Sequence, residues 1–136
     1  MARIVKAGLI QCSLPLHEGE GTIPQIKEAM LKKHLPFIDE AGKKGVQILC
    51  LQEIFNTPYF CPAQDPKWFR TAEKIPDGPT VKLMQEYAKK YQMVLVVPIY
   101  EEAMTGVYYN TAAVIDADWK YLGKYRKNHI PQVGGF

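Results

Sequence analysis

Residues 46–55 read VQILCLQEIF, an apolar run interrupted only by Gln47, Gln52 and Glu53. A run this short, apolar on both alternating sides, predicts a central β-strand covered above and below. The segments on either side decide what kind of sheet it belongs to. Upstream, residues 22–41 predict a helix: Thr22 is a suitable cap, Pro24 fits the first turn, and Ile26, Met30, Leu31 and Ile38 recur at helical spacing. Pro36 stands inside that helix and predicts a kink or a split. Residues 41–45, AGKKG, supply a basic last turn and a stopping glycine, Gly45.

Before the helix, RIVKAGLIQC (residues 3–12) is apolar on both faces and predicts a first buried strand, followed by the Gly- and Pro-rich loop LPLHEGEGTIP. After the central run comes NTPYFCPAQDPKW, a loop with three prolines and several aromatics. One or two helical turns are expected around DPKWFRTAEK, then a turn at IPDGPT. A second helix through VKLMQEYAKKY puts Val81, Met84, Tyr87 and Ala88 on one side. MVLVVPIYEE predicts a third buried strand, AMTG a hairpin turn, TGVYYNTAAVID a fourth strand and YLGKYRKN a fifth. The order β-α-β-(loop, short helix)-α-β-β-β has two helical crossovers and then a meander. It predicts an α/β fold with a mixed sheet and helices packed on one face.

Composition sets the bounds. The 136 residues are 47% hydrophobic and 23% charged, enough for a globular domain with its own core. A net charge of +3, from 17 basic and 14 acidic residues, is scattered and argues for neither nucleic acid nor an anionic membrane as partner. No apolar run reaches the roughly 20 residues of a membrane span, and the short apolar stretch at the N-terminus, with Arg3 and Lys6, is expected to be a strand rather than a secretion signal. Three cysteines without CxxC spacing fit a reducing cytoplasm. His17, His34 and His129 lack metal-ligand spacing, and no phosphate-cradling glycine loop is present, so no cofactor is expected.

Two ionisable residues stand at strand ends. Alternation puts Glu53 on the side of Leu49 and Leu51, where desolvation would raise its pKa toward general acid or base work near neutrality. Spacing alone favours a strand-terminal glutamate turned into solvent or paired with a lysine. Lys127 shares a side with Tyr121, Gly123 and Tyr125, whereas Lys124 and Arg126 are expected to point outward as solvated charges. A cation at position 127 could hold an oxyanion or a neighbouring anion; a basic surface hairpin is the plainer alternative. Cys12 and Cys50 lie in predicted strands and read as inert packing. Cys61, on the loop, could be reactive, though nothing nearby in sequence lowers its pKa.

LCLQEIFNTPYF followed by GKYRKNHIP resembles the nitrilase superfamily of carbon–nitrogen hydrolases, in particular its β-ureidopropionase (N-carbamoyl-β-alanine amidohydrolase) branch. VKAGLIQCS, DGPT, VVPIYE and YYNTAAVID add to the likeness in the expected order. The resemblance implies the N-terminal half of an αββα sandwich, with residues 1–136 one domain incomplete at its C-terminus. It implies a Glu-Lys-Cys triad in which Glu53 is the general base and Lys127 stabilises the tetrahedral intermediate. The nucleophilic cysteine would follow Phe136, so the chain alone would be inactive. It further implies a small amide or ureido substrate, no metal, and a homo-oligomer at full length. N-carbamoylputrescine amidases and ω-amidases share the same pair, and a non-enzymatic α/β interaction module is the alternative from another class. The hydrolase reading requires the Glu53 carboxylate and the Lys127 amine within a few ångströms, facing one concavity.

Overall fold

The computed structural model describes residues 4–17 and 19–131. Strand β1 (Ala7–Leu9) leads to helix α1 (Ile23–Lys43) and strand β2 (Ile48–Cys50). Two 3-10 turns, Cys61–Ala63 and Pro66–Thr71, precede helix α2 (Pro79–Tyr91). Strands β3 (Val94–Met104), β4 (Val107–Ile115) and β5 (Tyr121–Arg126) complete the sheet. Its spatial order is β1-β2-β3-β4-β5. The first three strands are parallel, and β4 and β5 join antiparallel, so the sheet is mixed, as the element order predicts. Among the described residues no helix is long and apolar enough to cross a membrane.

Both helices cover the same face. Ile38 of α1 and Val81, Met84 and Ala88 of α2 pack in one cluster with Leu49, Leu95, Val97, Ile99, Ala113 and Ile115 of the sheet. Burial in β3 alternates with a period of two, the signature of a sheet covered on one side. Ile48, Val94, Val96, Pro98, Ala112 and Val114 fall on the opposite face and are only half-buried. The expectation of strands buried on both faces is therefore corrected: the residues are apolar on both sides, but the helix layer lies on one. The first strand departs furthest. It is three residues long, sits at the sheet's edge, and leaves Leu9 86% exposed.

Helix α1 is capped as expected, with the Thr22 N–H donating to Gln25 Oε1 at 2.8 Å. It is not split at Pro36. Ile26, Met30, His34 and Ile38 anchor it on both sides of the proline, which faces solvent, where the carbonyl deprived of a donor can be hydrated. Gly45 ends the segment in the left-handed conformation, φ +71°.

Where α1 and α2 meet, a Cβ on Gly42 would lie 2.2–2.6 Å from ring atoms of Tyr91. That ring cannot easily yield, because its hydroxyl donates to Asp39 Oδ1 at 2.5 Å. Gly42→Ala gains about 1 kcal/mol in helix propensity. Overpacking costs about 1–3 kcal/mol, so the expected result is net destabilisation, read as a lower midpoint in urea unfolding.

Candidate active site

Glu53 belongs to a turn, not to β2. The strand ends at Cys50, and the Leu51 N–H makes a last bond to the Val96 carbonyl at 3.1 Å. The next residues are then bent by Ile54, a buried β-branched residue at φ +40°. Such a conformation costs on the order of 1–3 kcal/mol and persists only where neighbours impose it. Here the Phe55 N–H donates to the Pro98 carbonyl (3.1 Å) and the Thr57 N–H to the Ile54 carbonyl (3.0 Å). The buried Asn56 amide donates to Glu73 Oε1 at 3.2 Å and to Thr80 Oγ1 at 3.1 Å. This bend carries Glu53 away from Leu49 and Leu51, leaving its side chain 43% exposed. The expected desolvation is not realised, because alternation stops where the strand stops.

Lys127 arrives from the far side of the sheet. Arg126 lies opposite Thr111, and both side chains turn to the helix-covered face to meet Glu101, itself 1% exposed. Lys124 reaches the same carboxylate. The expectation that Lys124 and Arg126 are solvated outward charges is thus corrected: a buried acid on β3 draws them inward. One residue on, the Lys127 N–H donates to the Asn110 carbonyl at 2.8 Å, and its side chain takes the open face. There Lys127 Nζ donates to Glu53 Oε1 at 2.7 Å. Asn110 Nδ2 donates to the same oxygen at 2.5 Å. The bond to Glu53 raises the Lys127 pKa and keeps it an ammonium.

Lys127 and Asn110 line a cavity of about 260 Å³ together with Tyr59, Cys61, Tyr100 and Tyr108. Its walls are braced aromatics: Tyr100 stacks on Tyr108 with centroids 5.4 Å apart, Phe69 on Tyr108 at 4.8 Å, and Phe60 meets Tyr100 edge-on at 5.1 Å. Burial pushes the Tyr100 hydroxyl up to about 12, so it stays a neutral hydrogen-bonding group. A larger depression, between Thr22, Pro24, Lys67 and Trp68, contains neither member of the Glu53–Lys127 pair. The loop carrying Tyr59, Phe60 and Cys61 does wall the cavity beside the pair.

Cys12 and Cys50 are half-buried rather than core, and burial raises both thiol pKa values, which disfavours the thiolate. Cys61 faces the cavity. His34 is fully buried on α1, with Nδ1 2.8 Å from the Met30 carbonyl and its ring edge-on to Phe55. Among the described residues no group of three or more His, Cys, Asp or Glu could hold a metal. Sequence reasoning missed Asn110. Its signal was a lone amide in the strand VYYNTAAVI, between two tyrosines and the apolar segment that follows.

A carboxylate and an ammonium held on one oxygen beside an aromatic cavity can move a proton and stabilise a developing anion. Those are the two needs of acyl transfer. Residues 6–136 match the carbon-nitrogen hydrolase family model, and the chain belongs to that family of amidohydrolases. It is 43% identical over 136 residues to the beta-ureidopropionase of Arabidopsis thaliana, covering 98% of this chain and 33% of that protein. The N-carbamoylputrescine amidase of the same plant is 43% identical over 99 residues, covering 73% of this chain and 33% of that one. The crystal structure of a carbon-nitrogen hydrolase from Helicobacter pylori superimposes with a TM-score of 0.81 at 28% identity, over 97% of this chain and 42% of its own. The chain thus spans about a third of the length of these curated relatives.

Proposed function

We propose that the protein at its full native length hydrolyses the carbamoyl C–N bond of an N-carbamoyl amino acid of the N-carbamoyl-β-alanine type. Glu53 is the general base, Lys127 the oxyanion-stabilising cation, and the nucleophile a cysteine supplied beyond residue 136. The observation that supports this reading is the 2.7 Å contact between Lys127 Nζ and Glu53 Oε1 beside the cavity. Magnitudes favour function over stability for this pair. With side chains 36% and 43% exposed, the ion pair returns about 0–1 kcal/mol to the fold. The Ile54 backbone that presents Glu53 costs on the order of 1–3 kcal/mol.

In this mechanism Glu53 takes the thiol proton as sulfur attacks the carbamoyl carbon. Lys127 and backbone donors hold the oxyanion, and the protonated glutamate returns its proton to the departing nitrogen. Water, deprotonated by Glu53, then attacks the S-carbamoyl carbon; sulfur leaves and takes that proton back as the thiol, and the carbamic acid released loses carbon dioxide to free the second nitrogen. A ureido substrate yields the free amine, carbon dioxide and ammonia. No metal or cofactor takes part.

The test is ammonia release by the full-length protein from N-carbamoyl-β-alanine, N-carbamoylputrescine and an ω-amide. The first is expected to be the best substrate. Glu53→Gln, which keeps the shape and removes the base, is expected to abolish turnover, and the 136-residue chain alone to release none. The similarity to an N-carbamoylputrescine amidase supports a second reading, with an amine-ended substrate, which the same assay separates. Turnover by the short chain, lost on alkylation of Cys61, would overturn the assignment of the nucleophile.

A further inference from the structure

The Glu53 carboxylate is held asymmetrically. Oε1 accepts from both Lys127 Nζ (2.7 Å) and Asn110 Nδ2 (2.5 Å), and among the described residues no hydrogen bond reaches Oε2. The amide orientation is chemically forced, since an ionised carboxylate only accepts and Asn must offer its NH₂. An oxygen taking two donors, one of them an ammonium, has its two lone pairs engaged and is the poorer proton acceptor. Asn110 is also tied to the second partner by its backbone, whose carbonyl accepts the Lys127 N–H at 2.8 Å. One residue of β4 therefore touches both members of the pair through different groups.

We propose that Asn110 is a positioning residue that clamps Glu53 by Oε1 and so assigns the proton-accepting role to Oε2. This rests on the hydrolase reading above. Without the Asn110 side chain the carboxylate can rotate, both oxygens compete for Lys127, and the base loses its fixed aim. The backbone bond to Lys127 survives any side-chain change, so substitution isolates the Glu53 contact.

The experiment compares Asn110→Ala and Asn110→Asp with wild type in the full-length protein, using N-carbamoyl-β-alanine across pH. Asn110→Ala is expected to lower kcat by about 10²-fold, the scale of a misaimed catalytic group, with KM little changed. The acidic limb of the kcat/KM profile should move to higher pH, because the ionised carboxylate has lost a donor. Asn110→Asp should move it further, by setting a second carboxylate against the first. An unmoved limb with a change only in KM overturns the clamp. Should either variant fail to fold, the wild-type protein still decides. The Asn110 side-chain NH₂ resonance should respond to Glu53→Gln, and an unresponsive resonance overturns the proposal. A Glu53→Gln enzyme that keeps its turnover refutes the hydrolase reading instead, whatever Asn110 shows.

Discussion

Lys127→Met in the full-length protein is expected to lower kcat by about 10²–10³-fold, the usual loss when one oxyanion donor is removed. Methionine nearly matches the length of the lysine stem but brings no charge, so two things disappear together. On the proposed mechanism the tetrahedral intermediate loses its cation, and among the described residues Glu53 Oε1 keeps only the Asn110 amide as donor. Because the Lys127 side chain is 36% exposed, the fold should barely register the change, within about 0.5 kcal/mol. Lys127→Arg is the sharper control. A guanidinium fork preserves the charge but grips a carboxylate through both oxygens, which would engage Oε2 as well. It should therefore fail to rescue. Steady-state kinetics with a parallel thermal melt checks both, and a Lys127→Met enzyme within a few-fold of wild type would remove Lys127 from the mechanism.

Glu101→Gln is expected to destabilise the fold by about 3 kcal/mol, at the low end for a broken buried pair because its partners are partly wet. Glu101 accepts from Arg126 Nε at 2.9 Å, Arg126 Nη2 at 2.8 Å and Thr111 Oγ1 at 2.7 Å, and from Lys124 Nζ. Burial pushes its carboxyl pKa up, but the bonds from Arg126, Lys124 and Thr111 outweigh that and hold it at about 2. Since this lies below the ordinary value of 4.5, the stabilisation is fully present above about pH 4.5 and is lost as pH falls toward about 2. Urea unfolding at neutral pH should show the full gap between wild type and Glu101→Gln, and the gap should narrow on acidification through that window. A gap that stays constant with pH would mean the glutamine acts through packing alone.

Much of the fold was legible because periodicity is local. The two helices, the three parallel strands and the closing meander each announce themselves within a dozen residues. What escaped was set by distant partners. Nothing in LCLQEIF says that the strand stops at Cys50, because Ile54 and Phe55 continue the apolar run; the bend depends on the bond from Phe55 to Pro98. Lys124 and Arg126 look like solvated charges until β3 places the buried Glu101 beneath them. Pro36 looks like a break until tertiary packing secures the helix on both sides of it. Glu53 and Lys127 stood out at strand ends, but spacing left their roles open and only the two motifs that carry the family likeness assigned them. Asn110 did not stand out, because an amide in a strand has no meaning until its cross-strand neighbours are known.

The acid and the amine are 74 residues apart in sequence, and the amine follows β5, the outermost strand on its side of this sheet. Rim strands open more often than the interior strands they border. Among the described residues the Glu53–Lys127 contact is therefore anchored, on the lysine side, through a strand paired on one edge by β4. Glu101, gripping β5 from the reverse side through Lys124 and Arg126, acts as the rivet that keeps that rim shut.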